Sequence, residues 1–353
     1  MEYSKSIVNS IMETNKEIKE LFNRLSAGEQ SVLLEDLLQT HELQGTILTG
    51  AHDDVSSSRV RKPCPYCKSE KVYKRGKQKD IQMYKCNACN KWYSETTGTP
   101  LYGIKLKWKW QAYLRCLEQG MPIKKTAKEL GISIQTSFDW RHKILSALDS
   151  FAPDHLSGVV ECDELELPLS NKGERNLKRK ARKRGSDFKR NPGNSQVTVI
   201  QVITAVERNG EKYLKAVASK RLSKEEIAIG LDGKLDEGVT LITDKHPSYK
   251  SFVKDHPSIK HKTILAKEHA DRKDKNVNLQ KVNNTHAQLR KFLMPFNGVS
   301  SKYLQNYLNW FAYADKLRQT KTTLKQWLVT ALLADQAYEL FWLFKQNAVI
   351  IRT

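Results

Sequence analysis

The chain is 353 residues long and 39% hydrophobic, and its 60 Lys and Arg against 39 Asp and Glu leave a formal charge of +21. That hydrophobic share is enough to bury real cores, so a disordered chain is excluded, and the basic surplus is the electrostatic footprint of a nucleic-acid binder. No apolar run approaches the roughly 18 residues of a membrane span, and Met1-Glu2-Tyr3-Ser4-Lys5 lacks the charged-then-apolar pattern of a signal peptide, so no membrane association and a cytoplasmic location are expected.

In chain order, residues 1–45 read as an N-terminal helical segment, with Ser26 and Glu29 forming a capping box ahead of Val32, Leu33, Leu34 and Leu37. Residues 41–62 read as a linker, in which His52-Asp53-Asp54 belongs to a solvated loop rather than to a metal site. Cys64-x-x-Cys67 and Cys86-x-x-Cys89, with 18 residues between the pairs, are the strongest signal in the chain. Each pair places two thiolates on one tight turn, and two such turns complete a tetrahedral Zn²⁺ site of the ribbon type over 63–98. Two structural disulfides are the alternative, disfavoured because nothing else resembles a secreted protein. Cys116 and Cys162 have no partner at metal spacing and are expected in the core.

A helix-turn-helix domain is expected over 104–150. Lys124 to Leu130 gives the first helix, with small Ala127 where the helices cross; Gly131 permits the turn, and Ser133 caps the second helix. Ile132, Ile134, Phe138, Ile144 and Leu145 are expected to pack inward. Gln135, Thr136, Asp139 and Arg141 are left pointing outward, with Gln135 and Thr136 suited to base edges and Arg141 to DNA as well.

From residue 158 the pattern changes to strands. Glu161-Cys162-Asp163-Glu164-Leu165-Glu166-Leu167 alternates acidic and apolar residues at period two, so one face lines up carboxylates. Residues 196–206 and 212–219 form an antiparallel pair joined at Asn209-Gly210, a helix follows from Ser223, and Val239 to Thr243 is a buried strand ending in Asp244. Three antiparallel strands, a helix and a strand ending in Asp suggest an RNase-H-like order, in which the first-strand and fourth-strand aspartates converge at one sheet edge. Two such carboxylates repel unless a cation lies between them, and oxygen ligands suit Mg²⁺ or Mn²⁺. Further on, Asn283, His286 and Arg290 fall at i, i+3 and i+7, on one helical stripe that could face a phosphate.

These motifs, together with Thr243-Asp244-Lys245-His246-Pro247-Ser248-Tyr249, Val282-Asn283-Asn284-Thr285-His286 and Phe296 to Phe311, resemble the insertion-sequence transposases with a zinc ribbon and a DDE-type catalytic domain, the ISXO-like group related to the Merlin transposases. The resemblance covers about residues 60–315. It implies a DNA transposase that binds terminal inverted repeats and performs metal-dependent strand cleavage and transfer, a nucleoid-associated bacterial protein acting on end and target DNA. It makes Asp163 and Asp244 the acidic ligands, and it places Asn283 where many relatives carry Glu, as in an Asp-Asp-Asn subgroup. Arg290 stands where Lys is common and keeps the positive charge toward a phosphate. Glu268, Asp271 and Asp274 are the alternatives to Asn283, in a Lys-rich setting that favours a solvated loop.

The expected architecture is therefore multidomain α+β: N-terminal helices, zinc ribbon, helix-turn-helix, an RNase-H-like catalytic domain over 157–318, and C-terminal helices over 319–353. Within the catalytic domain, the run from Lys172 to Arg190 is too charged to pack. Its Lys178, Arg179, Lys180, Arg182, Lys183 and Arg184 are expected to track DNA phosphates, and about six such contacts would lower affinity roughly 10³-fold between 50 and 200 mM salt. Two DNA ends must be handled together, so a homodimer is the simple expectation. A non-catalytic DNA-binding regulator is the competing function class, and a structure-specific nuclease on the same fold is a third.

Overall fold

The computed structural model describes residues 16–17, 19–26, 29–30, 63–78, 81–106, 109–174, 176–177, 199–208, 210–218, 222–265, 268, 270–271 and 274–319. The expectations for the linker at 41–62, the basic residues at 178–184 and the helices after 319 lie outside these residues. The chain divides into two compact units, Met1–Trp92 with Lys105–Trp110, and Tyr93–Ile104 with Gln111–Thr353.

In the first unit the capping box is present: Glu29 Oε2 accepts from the Ser26 N–H at 2.9 Å, and Ser26 Oγ accepts from the Glu29 N–H at 3.4 Å. Strands β1 (Val72–Gln78) and β2 (Ile81–Cys86) pair antiparallel. Only Val72 of β1 is buried, so this ribbon has almost no apolar core of its own. A short strand β3 (Trp92–Ser94) follows.

In the second unit, α1 (Trp110–Glu118), α2 (Ile123–Glu129) and α3 (Ile134–Ala147) form a helical layer. The turn between α2 and α3 is made at Gly131, whose φ of 57° favours a residue without Cβ. Ser133 caps α3 by accepting from the Thr136 N–H at 2.9 Å. Ala127 is buried at the crossing, as its size requires.

Two expectations for this layer are corrected. Ile134 does not pack inward; it is 54% exposed at the tip of α3. Arg141 does not point outward: it is fully buried, donates to the Met121 carbonyl at 2.6 Å and Thr126 Oγ1 at 3.3 Å, and stacks 5.1 Å from the Trp310 ring centroid. A count of helical positions placed it outside because it could not foresee that α3 is covered by a helix far along the chain.

The rest of the second unit is a five-stranded sheet: β4 (Val159–Pro168), β5 (Val199–Glu207), β6 (Lys212–Ala218), β7 (Thr240–Asp244) and β8 (Lys260–Ile264), in the order β6-β5-β4-β7-β8. β4, β5 and β6 run antiparallel as a meander, whereas β7 and β8 join parallel to β4. Side chains alternate between two cores, as the period of two dictates. Val160, Cys162, Ile203 and Ala205 face α4 (Lys224–Leu231) and α5 (Pro247–Lys254). Leu165, Ile200 and Val202 face α6 (Gln280–Leu293) and α7 (Leu304–Gln319). Gly230 lets α4 lie close on the sheet, since a Cβ there would meet Ile203 Cδ1 at 2.7 Å. Cys116 and Cys162 are buried, as expected.

Helix α7 joins the two layers. His142 of α3 lies 4.1 Å from the Tyr303 ring, Asn306 Nδ2 is 3.3 Å from His142 Nδ1, and Asn309 donates to Asp149 at 3.0 Å. Burial, with the Arg141 and Lys302 charges, pushes His142 down to about 3, so it is a neutral packing group. Arg141→Ala is expected to cost about 3 kcal/mol in denaturant unfolding, from lost hydrogen bonds and a cavity under Trp310. Arg141→Lys should recover little of this, because an ammonium cannot stack or fork.

Candidate active site and metal centre

The four cysteines of the first unit are gathered with their Sγ atoms all within 4.8 Å of one another. Cys64–Cys89 and Cys67–Cys86 are each 3.6 Å apart, far beyond a disulfide bond and close to the roughly 3.8 Å that a tetrahedron with 2.3 Å Zn–S bonds requires. The turns match in detail. The Cys64 N–H donates to the Ser69 carbonyl and the Cys86 N–H to the Lys91 carbonyl, while Lys68 and Asn90, each just after a second cysteine, take positive φ. The backbone N–H groups of Cys89 and Ala88, with the Cys67 and Cys89 thiols, hold the Cys86 thiol down at about 6, against burial. This donor set fits zinc. It is the one group of three or more metal-type ligands gathered this tightly among the described residues.

In the second unit, the end of β7 comes alongside the acidic middle of β4. The parallel register pairs Val159 with Thr240, Val160 with Leu241 and Glu161 with Ile242, and carrying it two residues on brings Asp163 abreast of Asp244. Burial first, then the negative charges of Glu164 and Asp244, push the Asp163 carboxyl up to about 7, against a lowering backbone hydrogen bond. Glu164 is raised in turn by burial and by Asp244. Asp244 is held by its own loop, with Oδ1 accepting from the His246 N–H at 2.9 Å, and His246 Nδ1 then caps α5.

Acidic residues on the two faces of β4 reach opposite helices. Glu164, on the α5 face, accepts from the hydroxyl of fully buried Tyr249 at 3.2 Å. Glu161, on the α6 face, is itself fully buried, and its Oε2 accepts from the N–H groups of Lys281 and Val282 at 2.8 and 3.2 Å. Helix α6 has no side-chain cap of its own, so this carboxylate replaces one and complements the helix dipole. Glu161 Oε1 pairs with Arg208 Nε at 3.2 Å, and Arg208 also donates to the Asn276 carbonyl. Glu161→Ala leaves two buried N–H groups and a guanidinium without their acceptor. The expected cost is about 3 kcal/mol in chemical denaturation.

Helix α6 buries Val282, Thr285, His286 and Leu289. His286, expected as a DNA contact, is corrected: it is 5% exposed and turned to the sheet, with Nδ1 3.9 Å from Asp163 Oδ2. Burial and the Arg290 charge push it down to about 4, so the imidazole is neutral and the contact is not an ion pair. Asn283 and Arg290 are exposed on the flank of that stripe, and no hydrogen bond joins Asn283 to either aspartate among the described residues.

Gln135 is exposed on α3, where its Nε2 donates to Asp139 at 2.9 Å, and Thr136 is half-buried beside Ser133. The expected basic loop is tied down at its start: Lys172 donates to the carbonyls of Phe296, Asn297 and Gly298 at 2.8, 3.2 and 2.7 Å instead of projecting. Sequence reasoning missed the roles of Glu161, Glu164, Tyr249 and Arg208. The period-two acidic pattern of β4 was the available signal, but only the fold shows which carboxylate is spent on a helix end.

Residues 155–315 match the family described as the ISXO2-like transposase domain. The chain is 27% identical over 275 residues, 76% of its length and 91% of the relative's, to an uncharacterized protein in transposable element ISH50 of Halobacterium salinarum. Among solved structures it is similar to a chain of the simian T-cell lymphotropic virus intasome in complex with PP2A regulatory subunit B56 gamma, at a TM-score of 0.26 and 12% identity, over 58% of this chain and 64% of that one. It is also similar to a chain of a pre-cleavage Mos1 transpososome, at a TM-score of 0.24 and 9% identity, over 64% and 78%. At such scores these likenesses say nothing about individual residues. No helix among the described residues is long and apolar enough to cross a membrane.

Proposed function

We propose, from the match of residues 155–315 to the ISXO2-like transposase domain, that this chain binds the terminal inverted repeats of an insertion sequence and catalyses strand cleavage and strand transfer at the edge of an RNase-H-like sheet. The observation that supports the reading is that Asp244, at the end of β7, comes abreast of Asp163 in the middle of the neighbouring parallel strand β4. Among the described residues neither has a Lys or Arg partner, in a chain carrying 60 of them. Carboxylates left in that state call for a cation. Asp163 and Asp244, with Asn283 of α6, would hold Mg²⁺ or Mn²⁺, which would supply Lewis-acid stabilisation of the charge that develops at the phosphodiester.

The protein's own residues do the rest. Glu161 fixes the start of α6, the helix that carries Asn283 and Arg290, and the Arg290 guanidinium would face a phosphate next to the broken bond. Neutral His286 closes the buried side of Asp163 against water. Gln135 and Thr136, at the exposed start of α3, read base edges, and the residues Lys178 to Arg184 add contacts to phosphates. Zinc holds the ribbon as a second DNA-contacting module. Two copies of the chain act together on two ends, in the nucleoid.

The test is incubation of the zinc-loaded protein with supercoiled DNA carrying the element's ends, with and without Mg²⁺. Nicking that needs both Mg²⁺ and the two aspartates supports the reading; binding of those ends with no nicking under any divalent ion favours a regulator.

A further inference from the structure

The ribbon carries its aromatic bulk on the outside. Val72 of β1 and Cys86 of β2 stand opposite each other and are both buried, so the period of two turns Tyr73 and its cross-strand partner Lys85 to the other side of the sheet. Tyr73 is 49% exposed there, and Asn87 Nδ2 donates to its hydroxyl at 2.8 Å, which holds the ring in place. β3 is the third strand of the same sheet, and its Trp92, next to buried Tyr93, is 55% exposed on the open side with Tyr73 and Lys85. At the first knuckle Tyr66 is 48% exposed, with Lys91 Nζ 4.7 Å from its ring centroid. A small module short of apolar core would ordinarily bury such rings. The ribbon is also strongly basic. Residues 63–92 hold eight Lys and Arg against two acids, a surplus that remains after the two negative charges of a zinc ion held by four thiolates. Lys74, Arg75 and Lys77 of β1 are all exposed.

Flat rings framed by ammonium and guanidinium groups suit a ligand that has apolar faces and a regular run of negative charge. Unpaired bases offer both, because each has a π-face on which a ring can stack and each is joined to a phosphate. A duplex keeps its base faces against one another and presents only phosphates and base edges, from which the rings would gain little. We propose that the open face of the ribbon, built on Tyr73 and Trp92 with Tyr66 at its knuckle, is a stacking platform for single-stranded DNA. The proposal rests on the DNA-acting reading above and gives the ribbon a different substrate from the start of α3, which reads base edges in a duplex. Unpaired bases arise where a strand end frays or has been cut.

Fluorescence anisotropy of a labelled oligothymidylate and of a random-sequence duplex of equal length, each titrated with the full-length, zinc-loaded chain, tests this without reference to cleavage. Trp92→Ala and Tyr73→Ala should each weaken oligothymidylate at least about fivefold and leave the duplex within about twofold of the parent. Trp92→Phe should keep most of the affinity, since a ring remains to stack. Lys85→Gln should weaken both ligands, because it acts on the phosphates they share. The loss from Trp92→Ala should vanish on a strand whose bases are replaced by abasic sites. Zinc content equal to the parent's shows that each variant ribbon folds. Zinc-loaded alanine variants that bind oligothymidylate as the parent does overturn the platform and leave the transposase reading standing. So do variants that lose oligothymidylate and duplex in equal measure, which would make this face a phosphate contact alone, and so does a parent that binds only duplex. A parent chain that binds neither overturns both.

Discussion

Asp163→Asn is expected to abolish Mg²⁺-dependent nicking, with a loss of at least about 10³-fold, while binding to the element's ends stays within a few-fold of the parent. The amide keeps the size of the side chain and removes the charge, so ground-state contacts to DNA persist and only the stabilisation of the reacting phosphate is lost. Asp244→Asn should match it, and the double variant should be no worse than either single one, because two ligands of one site act as a unit. Equal nicking by parent and Asp163→Asn would refute the assignment. The same substitution has a signature independent of DNA. With no divalent ion, Asp163 holds its proton up to about pH 7 in the folded chain, against a usual value of 3.8. The folded state therefore binds more protons than the unfolded one between those values, and stability must fall as pH rises from about 4 through 7. Melting temperature against pH should show that decline in the parent, and Asp163→Asn should flatten it.

Removing zinc is expected to unfold the ribbon outright. β1 buries Val72 alone, and a small sheet with so little apolar cover is marginal in water. Structural zinc binding contributes on the order of 10–16 kcal/mol in small zinc modules, far more than these short strands can recover by packing. Chelation, or Cys64→Ser, should bring zinc content to near zero by metal analysis and open residues 63–92 to protease. The unfolding transition of the second unit, which has its own cores on both faces of a sheet, should persist. A ribbon that resists protease after chelation would sink the zinc assignment.

The thiol spacing, the turn at Gly131, the Ser133 cap, the β4–β6 meander and the strand ending at Asp244 were all legible, because each depends on local chemistry or on a short period. What was not legible depended on partners remote in sequence. Arg141 looks like a surface cation until α7, more than 160 residues later, supplies Trp310 as its lid. Glu161 and Asp163 share a strand face, yet one caps α6 and the other meets Asp244. β8 was missed because Lys260-His261-Lys262 reads as a solvated loop, although an edge strand tolerates such residues and uses them to discourage further pairing. The stretch from Phe296 to Phe311, the most specific part of the family resemblance, is mainly architectural: it takes up Lys172 on three carbonyls and builds the aromatic wall of α7.

Because Arg141, His142 and Asp149 bind α3 and its extension to the same helix that floors the sheet, the exposed tip of α3 has no hinge of its own. If that tip reads bases, the interval from the bases read to the bond broken becomes a constant of the polypeptide, like the throw of a fixed gauge. An element whose recognised bases were moved by a single base pair would present the wrong phosphate, displaced along and around the duplex, to the waiting acids.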